Sequence, residues 1–309
     1  MFDNASKAFF HLLARSGTLK NVAAHYGMRR DTSFARRFIA GETVEEAIAA
    51  ARSVEAQGLT QTLDYLGESV SSLEAADAAT RDYLRVIDAV KTAGIGRNLS
   101  LKLTQLGLDV DRASAVDNLR RILDRAEGFF VRLDMESSDY TDRTLTVFET
   151  VWQQDYRHVG VVLQADLRRT EQDVDRINAL GARIRLVKGA YREPSSVAYP
   201  RKADVDATYR KLIEKLLVHG TYPAFATHDE AMIDAARRAA VEHHIGQDRF
   251  EFQMLYGIRR DLQNSLVRQG YRVRIYIPFG REWFPYFMRR LGERPANVGF
   301  VVKGVLKEK

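Results

Sequence analysis

Eight short runs of β-branched and other apolar residues recur along the chain, and stretches with helical periodicity lie between them. The runs are residues 62–67, 99–106, 129–135, 159–165, 183–187, 222–227, 250–255 and 272–278. Strands that alternate with helices predict a parallel sheet built from βαβ units. The spacing alone is compatible with an open, doubly wound sheet, but a closed barrel needs eight such units. The count therefore favours an α/β fold of the (βα)8, TIM-barrel type.

The intervening helical patterns define how the rest of the chain is organised. They cover residues 71–91, 113–126, 141–156, 171–180, 202–217 and 230–242. Before the first strand, residues 9–13 are apolar, residues 32–39 are basic and amphipathic, and residues 43–57 form a strong helical pattern that Gly58 ends. We predict a helical arm over residues 1–58 and a catalytic barrel domain over residues 59–309.

Composition narrows the class of protein. The 309 residues are 45% hydrophobic and 28% charged, and no apolar run approaches the roughly 20 residues that a membrane-spanning helix needs. The start of the chain lacks the pattern of a signal peptide, and the absence of cysteine excludes disulfides and thiolate metal sites. These features favour the cytoplasm. The net charge is +6, but the basic residues are spread along the chain, which argues against nucleic acid.

Polar residues stand at the ends of the predicted strands, where a barrel of this type carries its active site. Lys102 lies between two leucines, so that it points into the barrel if they face the helices. A buried lysine needs an anion, and Asp134 at the next strand end is a natural partner. The alternatives are a lysine that reaches solvent and an aspartate that caps a helix.

The densest signal is the segment RLVKGAY at residues 185–191. Strand alternation puts Arg185 and Val187 on one face, and Gly189 permits a turn and the close approach of a ligand. A cation beside a glycine at a strand end suits a phosphate or an anionic ring edge. A structural arginine that bridges strands is the alternative.

Thr227, His228 and Asp229 end the sixth run and begin a helical pattern. A helix N-terminus attracts anions, and the side chains of Thr227 and His228 add hydrogen-bond donors. Ordinary N-capping by Thr227 or Asp229 is the other interpretation, and both can hold together.

A last helical pattern, rich in aromatic residues, contains two adjacent arginines. Arg289 and Arg290 are about 100° apart on a helix, so one small anion above the barrel can contact both. Glu293 lies four and three positions beyond them and can orient either side chain. The alternative is a solvent-exposed pair. The sequence contains no dinucleotide-binding glycine motif, phosphate-binding loop, nucleophile elbow or zinc motif, and we predict no metal.

Taken together, these segments resemble the proline dehydrogenases, flavoenzymes that occur alone or as one domain of bifunctional proline-utilisation proteins. The matching segments are TLDYLGE at 62–68, SLKLTQ at 100–105, LDME at 133–136, RLVKGAY at 185–191, ATHD at 226–229, EFQ at 251–253, RIYIPFG at 274–280 and RRLGE at 289–293. They occur in the family's order over roughly residues 60–297, and the size is that of the monofunctional bacterial type.

The resemblance implies a (βα)8 barrel with non-covalent FAD that oxidises L-proline to 1-pyrroline-5-carboxylate, with a quinone as electron acceptor. It assigns substrate binding to the following residues: Lys102, Arg289, Arg290, Tyr276, Tyr191 and Glu293. In the same way Asp134 supports Lys102, and Arg185 lies by the flavin ring; we count both as catalytic. The implied FAD contacts are Met135, Gln164, Arg185, Lys188, Gly189, Ala190, Thr227 and His228.

The sequence departs from the family pattern after RLVKGAY, where many relatives have an aromatic residue and this chain has Arg192. One predicted FAD contact is therefore in doubt. Two other classes of function stay open: a flavin-free lyase or aldolase with Lys102 as a Schiff base, and a non-enzymatic binder of nucleic acid or membrane. Because quinones reside in the bilayer, peripheral contact with the inner membrane is a further expectation, which the basic arm and C-terminal lysines would suit.

Overall fold

The computed structural model describes residues 33–293 and contains one closed barrel of eight parallel strands. The strands are β1 (Thr60–Tyr65), β2 (Asn98–Leu101), β3 (Phe130–Leu133), β4 (Val159–Gln164), β5 (Ile184–Val187), β6 (Ala224–Ala226), β7 (Glu251–Leu255) and β8 (Val273–Phe279). They pair in chain order, and β8 returns to β1 over a register that runs from Thr60↔Arg274 to Tyr65↔Phe279. The barrel prediction is confirmed, and the open-sheet alternative is wrong.

Nine α-helices alternate with the strands or flank them within residues 33–293. They are α1 (Val44–Glu55), α2 (Leu73–Ala93), α3 (Arg112–Arg125), α4 (Thr141–Trp152), α5 (Thr170–Ala179), α6 (Lys202–His219), α7 (Glu230–Glu242), α8 (Arg260–Arg268) and α9 (Trp283–Glu293). Side chains cap several of them. Thr43 and Glu46 form a capping box at α1, and Ser72 and Asp111 cap α2 and α3.

The main hydrophobic core lies between the strands and the surrounding helices. Val161 and Leu163 of β4 pack there, as do the fully buried Tyr83, Phe148 and Tyr209 from three different helices. Every residue of β4 is buried, as expected for a parallel strand covered on both faces. The barrel interior is instead filled by polar and charged side chains, which is where the site begins.

Three sequence expectations need correction. The second run was expected to be a strand to Leu106, but β2 ends at Leu101 and residues Leu103–Leu106 form a 3₁₀ turn. Gly107, at a φ of +97°, ends that turn, because a left-handed residue cannot continue either element. Helix α8 was not predicted, and α4 ends at Trp152 rather than at residue 156.

The segment before α1 and the final helix α9 pack together. Phe38 and Ile39 contact the aromatic face of α9, and Trp283 Nε1 donates a hydrogen bond of 3.0 Å to Glu42 Oε1. The predicted patterns at residues 9–13, the start of 32–39, and the lysines near the C-terminus lie outside the described residues. The boundary at residue 58 stays a prediction. Within residues 33–293, no helix combines the length and apolarity needed to cross a membrane.

Candidate active site at the carboxyl ends of the strands

A cavity of about 760 Å³ opens at the carboxyl ends of the strands, and we call it the carboxyl-end cavity. Most residues singled out from the sequence line it. They are Lys102, Asp134, Met135, Gln164, Arg185, Lys188, Gly189, Ala190, Tyr191, Thr227, His228, Tyr276 and Arg290. The side chains of Arg289 and Glu293 lie outside the described part of the structure. The volume lies within the range of roughly 300–1,000 Å³ that is typical of ligand and cofactor sites.

Arg185 is the centre of a buried hydrogen-bond network inside the barrel. Its Nε donates to Gln253 Oε1, its NH1 to Asp134 Oδ1 at 2.7 Å, and its NH2 to Ser100 Oγ at 3.0 Å. Three side chains from different strands or strand ends thus hold one guanidinium, whose centre also lies 5.4 Å from the ring centroid of Tyr276. Leu186 is fully buried in the core while Arg185 and Val187 line the cavity, as alternation predicted.

Asp134 connects Arg185 to Tyr276. Its second carboxylate oxygen accepts a 2.7 Å hydrogen bond from the Tyr276 hydroxyl. Burial, and then the nearby Asp134 charge, raise the pKa of Tyr276 well above its usual value. The phenol therefore stays protonated and acts as a fixed donor, so that three side chains share one rigid arrangement at the cavity wall.

Lys102 points into the barrel, as predicted, and is 8% exposed. Asp134, the partner expected from the sequence, is instead held by Arg185 and Tyr276. The carboxylate found against Lys102 is Asp64, whose Oδ1 lies 3.8 Å from Nζ. Burial raises the pKa of Asp64, and the Lys102 charge opposes this shift. Among residues 33–293 neither oxygen of Asp64 accepts a hydrogen bond of ordinary geometry, and the charge of Lys102 is the strongest influence that favours the ionised carboxylate.

Lys188 forms part of a smaller ionic cluster at the rim. Its Nζ contacts Asp206 of α6 and Asp229 at the start of α7, the latter at 2.6 Å. Lys202 also contacts Asp206, so two lysines meet two carboxylates. The cluster ties β5 to two helices and fixes the position of Lys188 at the cavity edge.

Gly189 allows the chain to pass close to Asp166. Its φ is +112°, and an added Cβ would lie 2.0 Å from Asp166 Oδ2. Only glycine fits this combination of backbone angle and contact. The close approach of a ligand at Gly189 stays a prediction; the neighbour that the structure shows is the carboxylate of Asp166.

The segment at residues 227–229 caps α7. The Asp229 side chain accepts a hydrogen bond from Ala231 N–H, and Thr227 Oγ1 accepts one from Asp229 N–H, both at 3.0 Å. Helix capping is therefore confirmed. His228 Nε2 accepts the Leu255 amide at 3.0 Å, so its neutral ring carries the proton on Nδ1. His228 and Thr227 also line the cavity.

Helix α9 closes one side of the carboxyl-end cavity. Arg290 and Tyr286 both line it, and the Arg290 guanidinium lies 5.2 Å from the Tyr286 ring centroid. Arg192, where the family pattern breaks, is exposed.

The amino-acid sequence matches proteins of known activity. The family model described as proline dehydrogenase matches residues 47–303. Proline dehydrogenase 2 of Bacillus subtilis is 43% identical over 305 residues, which covers 98% of this chain and 99% of the relative. The chain belongs to the proline dehydrogenase family. The proline dehydrogenase of Deinococcus radiodurans is 46% identical over 281 residues, or 89% of this chain and 91% of that one.

A solved structure of another family member has the same barrel. Proline utilization A from Bdellovibrio bacteriovorus, inactivated by N-propargylglycine, matches with a TM-score of 0.77 and 30% identity. The match covers 84% of this chain and 32% of that longer chain. The family resemblance drawn from the motifs is thus confirmed, together with the TIM-barrel fold and the identity of the chain as an enzyme of this class.

Several residues of the site were missed in the sequence. Asp64 and Ser100 fall inside matched motifs but received no role, and Gln253 was recognised only as a polar residue at a strand end, because their partners come from other strands. Tyr286 had a signal, since it precedes Arg290 by four positions on a helix and so shares its face. Asp206 had none, because it belongs to an ordinary helical pattern.

Proposed function

We propose that the protein oxidises L-proline to 1-pyrroline-5-carboxylate with non-covalently bound FAD and passes the electrons to a quinone. The single observation that carries this proposal is the buried Arg185, which three hydrogen-bonded side chains hold at the floor of a cavity large enough for a cofactor and an amino acid. A fixed cation beside a redox cofactor stabilises the negative charge that the cofactor gains on reduction.

The chemistry of the cavity fits FAD. Its wall combines apolar side chains such as Met135 and Val187 with a few convergent polar groups, which suits a flat ring with polar edges. Arg185, Lys188 and His228 supply donors for carbonyl or phosphate oxygens. The remaining predicted contacts, Gln164, Gly189, Ala190, Thr227 and the backbone of Met135, line the same wall. When bound, FAD supplies the two-electron acceptor that no amino-acid side chain can provide.

The substrate carboxylate needs cations, and we assign it to Lys102, Arg290 and Arg289. Lys102 and Arg290 both line the carboxyl-end cavity and come from the barrel floor and from α9. Two donors from different elements fix the position of a small anion and with it the orientation of the attached ring. Glu293 is assigned to orient the arginines.

Oxidation removes a hydride from one ring carbon of proline and a proton from its nitrogen, which leaves a C=N bond. The task of the protein is to align the ring and exclude water. Tyr276 and Tyr191 are assigned as walls of the ring pocket, and the Tyr276 ring cannot rotate freely while its hydroxyl is held by Asp134. Asp134 therefore acts by holding Arg185 and Tyr276 at the same time.

We assign the protein to the cytoplasm, with peripheral contact at the inner membrane where a quinone is available.

The Lys102 ammonium is paired with Asp64, which argues against a Schiff-base lyase because that chemistry needs a neutral amine.

Anaerobic addition of L-proline to the purified protein tests the function. We expect visible flavin absorbance that L-proline bleaches and D-proline leaves unchanged. A colourless protein that shows no flavin after denaturation, or bleaching by neither isomer, would contradict the proposal.

A further inference from the structure

A second cavity, of about 490 Å³, lies at the amino ends of the strands, at the opposite end of the barrel. We call it the amino-end cavity. Arginine is the most frequent residue type in its lining, which contains Arg97, Arg157, Arg183 and Arg274. The sequence explains their position, since Arg97 directly precedes β2 and Arg183 directly precedes β5. Residues that precede parallel strands all meet at one end of a barrel, so these side chains form part of a basic rim.

The rim arginines lie over aromatic rings. The Phe130 ring is shared by Arg183 at 5.0 Å and by the buried Arg132 at 4.7 Å. Arg183 also lies 5.1 Å from the Tyr222 ring centroid, and Arg97 lies 5.9 Å from that of Phe129. Ring faces hold a guanidinium in place without neutralising it, because the attraction comes from a quadrupole rather than from a charge.

Carboxylates do not compensate this rim. Within residues 33–293, neither Arg97 nor Arg183 has an acidic partner, and the only carboxylate that lines the cavity is Glu55. Glu55 is itself engaged, since its Oε1 accepts the Gly96 amide at 2.8 Å. Arg274 and Arg157 are paired with Glu251 and with Asp155, respectively. Two cations are therefore left over at one concave surface.

Several arginines on the helices, by contrast, lie against carboxylates. Arg120, Arg125 and Arg176 each contact a carboxylate within 2.7 Å. Arg97 and Arg183 are instead oriented by rings without a carboxylate. They lie in a cavity rather than on a convex surface, which makes a suitable site for an anionic ligand.

We propose that the amino-end cavity binds a phosphoryl group, with the guanidinium groups of Arg97 and Arg183 as its principal donors. Arginine presents planar, paired N–H donors that match phosphate oxygens, and a dianion balances the two unpaired charges. The phosphoryl group can belong to a free phosphate compound or to a phospholipid headgroup. The site is separate from the carboxyl-end cavity and does not depend on the function proposed for that cavity.

Calorimetric titration of the full-length, flavin-loaded protein with inorganic pyrophosphate, in a phosphate-free buffer, tests the proposal. We expect saturable binding that Arg97→Gln and Arg183→Gln each weaken by about tenfold or more. Arg120→Gln is the matched control, because it removes the same charge from a side chain already paired with Asp117 on α3. It should bind as the wild type does. Urea unfolding of each variant shows that the barrel is folded.

A second arm identifies the source of the phosphoryl group. The same four proteins are sedimented with vesicles of phosphatidylglycerol or of phosphatidylcholine. Sedimentation with the anionic vesicles that Arg97→Gln and Arg183→Gln abolish identifies a headgroup, whereas pyrophosphate binding without sedimentation identifies a free phosphate compound. Either result supports the site. Absence of both kinds of binding, or equal weakening in Arg120→Gln, overturns it.

Discussion

Arg183 and Arg185 lie two residues apart at the start of one strand, and their surroundings differ in kind. Arg185 is buried and gives hydrogen bonds to three side chains, one of them the carboxylate of Asp134. Arg183 is exposed, and its guanidinium lies over the Phe130 and Tyr222 rings without a carboxylate partner among residues 33–293. About 6.6 Å of strand separates the two positions. The barrel therefore holds a neutralised, immobile cation at its carboxyl end and an uncompensated one at its amino end.

The difference indicates what each end is built to do. A cation fixed by its own carboxylate is preorganised and can stabilise charge that develops during a reaction without reorganising. A cation that only rings hold is ready to take an anion from outside. A variant at the carboxyl end should therefore change turnover, and a variant at the amino end should change anion binding without changing turnover.

Replacement of Arg185 should have the largest effect. Arg185→Met should lower turnover by about 10²–10³-fold, because it removes a preorganised charge from the site. It should also lower the free energy of unfolding by roughly 3–5 kcal/mol, since Asp134 would remain buried without its cation. Steady-state kinetics and urea unfolding measure the two effects. Arg183→Met is the control and should turn over as fast as the wild type. A similar loss of turnover in both variants would contradict the difference proposed between the two ends of the barrel.

The next largest effect concerns substrate affinity. Arg289→Met and Arg290→Met should each raise KM for proline by about one to three orders of magnitude while FAD stays bound, since each removes charged hydrogen bonds to the carboxylate. Initial rates over a range of proline concentrations measure this. Arg97→Met at the other end should leave KM unchanged. Unchanged KM in the two α9 variants would refute the assignment of the carboxylate site.

Two glycines with positive φ provide a smaller, structural test. Gly189→Ala should lower the free energy of unfolding by about 1–3 kcal/mol and reduce bound flavin, because its φ is +112° and its Cβ would collide with Asp166. Gly128→Ala should cost about 1–2 kcal/mol and keep the flavin, since its Cβ would meet only the flexible end of Arg97 at 3.3 Å. The flavin-to-protein ratio and the urea midpoint measure both. Loss of flavin from both variants would show that the two ends are not independent.

The smallest effect is a pH dependence of opposite sign at the two ends. Burial raises the pKa of Asp64, so its contribution to stability is full below about pH 3.8 and is lost as pH rises through the folded-state pKa. Burial raises the pKa of Glu251, but Arg274, Gln253 and Arg132 together lower it below its usual value. That contribution to stability is present above about pH 4.5 and is lost as pH falls.

Urea unfolding of two isosteric variants across the acid and neutral range checks the signs. Relative to the wild type, Asp64→Asn should gain stability as pH rises, and Glu251→Gln should gain as pH falls. Slopes of the same sign for both variants would contradict the difference between the two carboxylates.

Much of the fold could be predicted from the sequence because strands and helices leave local patterns. All eight strands were placed, and the run at residues 250–255 differs from β7 by one residue. The errors arose where a single residue or a short segment determines where an element ends. Gly107 turns the chain after β2, and α8 is only nine residues long, between a strand and Gly270.

The sequence predicted which residues belong to the site, but not which of them contact each other. Lys102, Asp134 and Arg185 were placed at strand ends, yet which carboxylate meets which cation depends on the register of closed strands. Arg185 and Asp134 are 51 residues apart in the chain, and Asp64 reaches Lys102 from the neighbouring strand. No periodicity encodes such contacts. The basic rim was likewise overlooked, because Arg97 and Arg183 were interpreted only as dispersed charge.

The rate at which L-proline bleaches the flavin under anaerobic conditions, in Arg185→Met and in Arg183→Met, tests the central claim most directly. The account predicts that Arg183→Met is bleached at the wild-type rate and that Arg185→Met is bleached about 10²–10³-fold more slowly. Wild-type bleaching in Arg185→Met, or equal slowing in both variants, would contradict it.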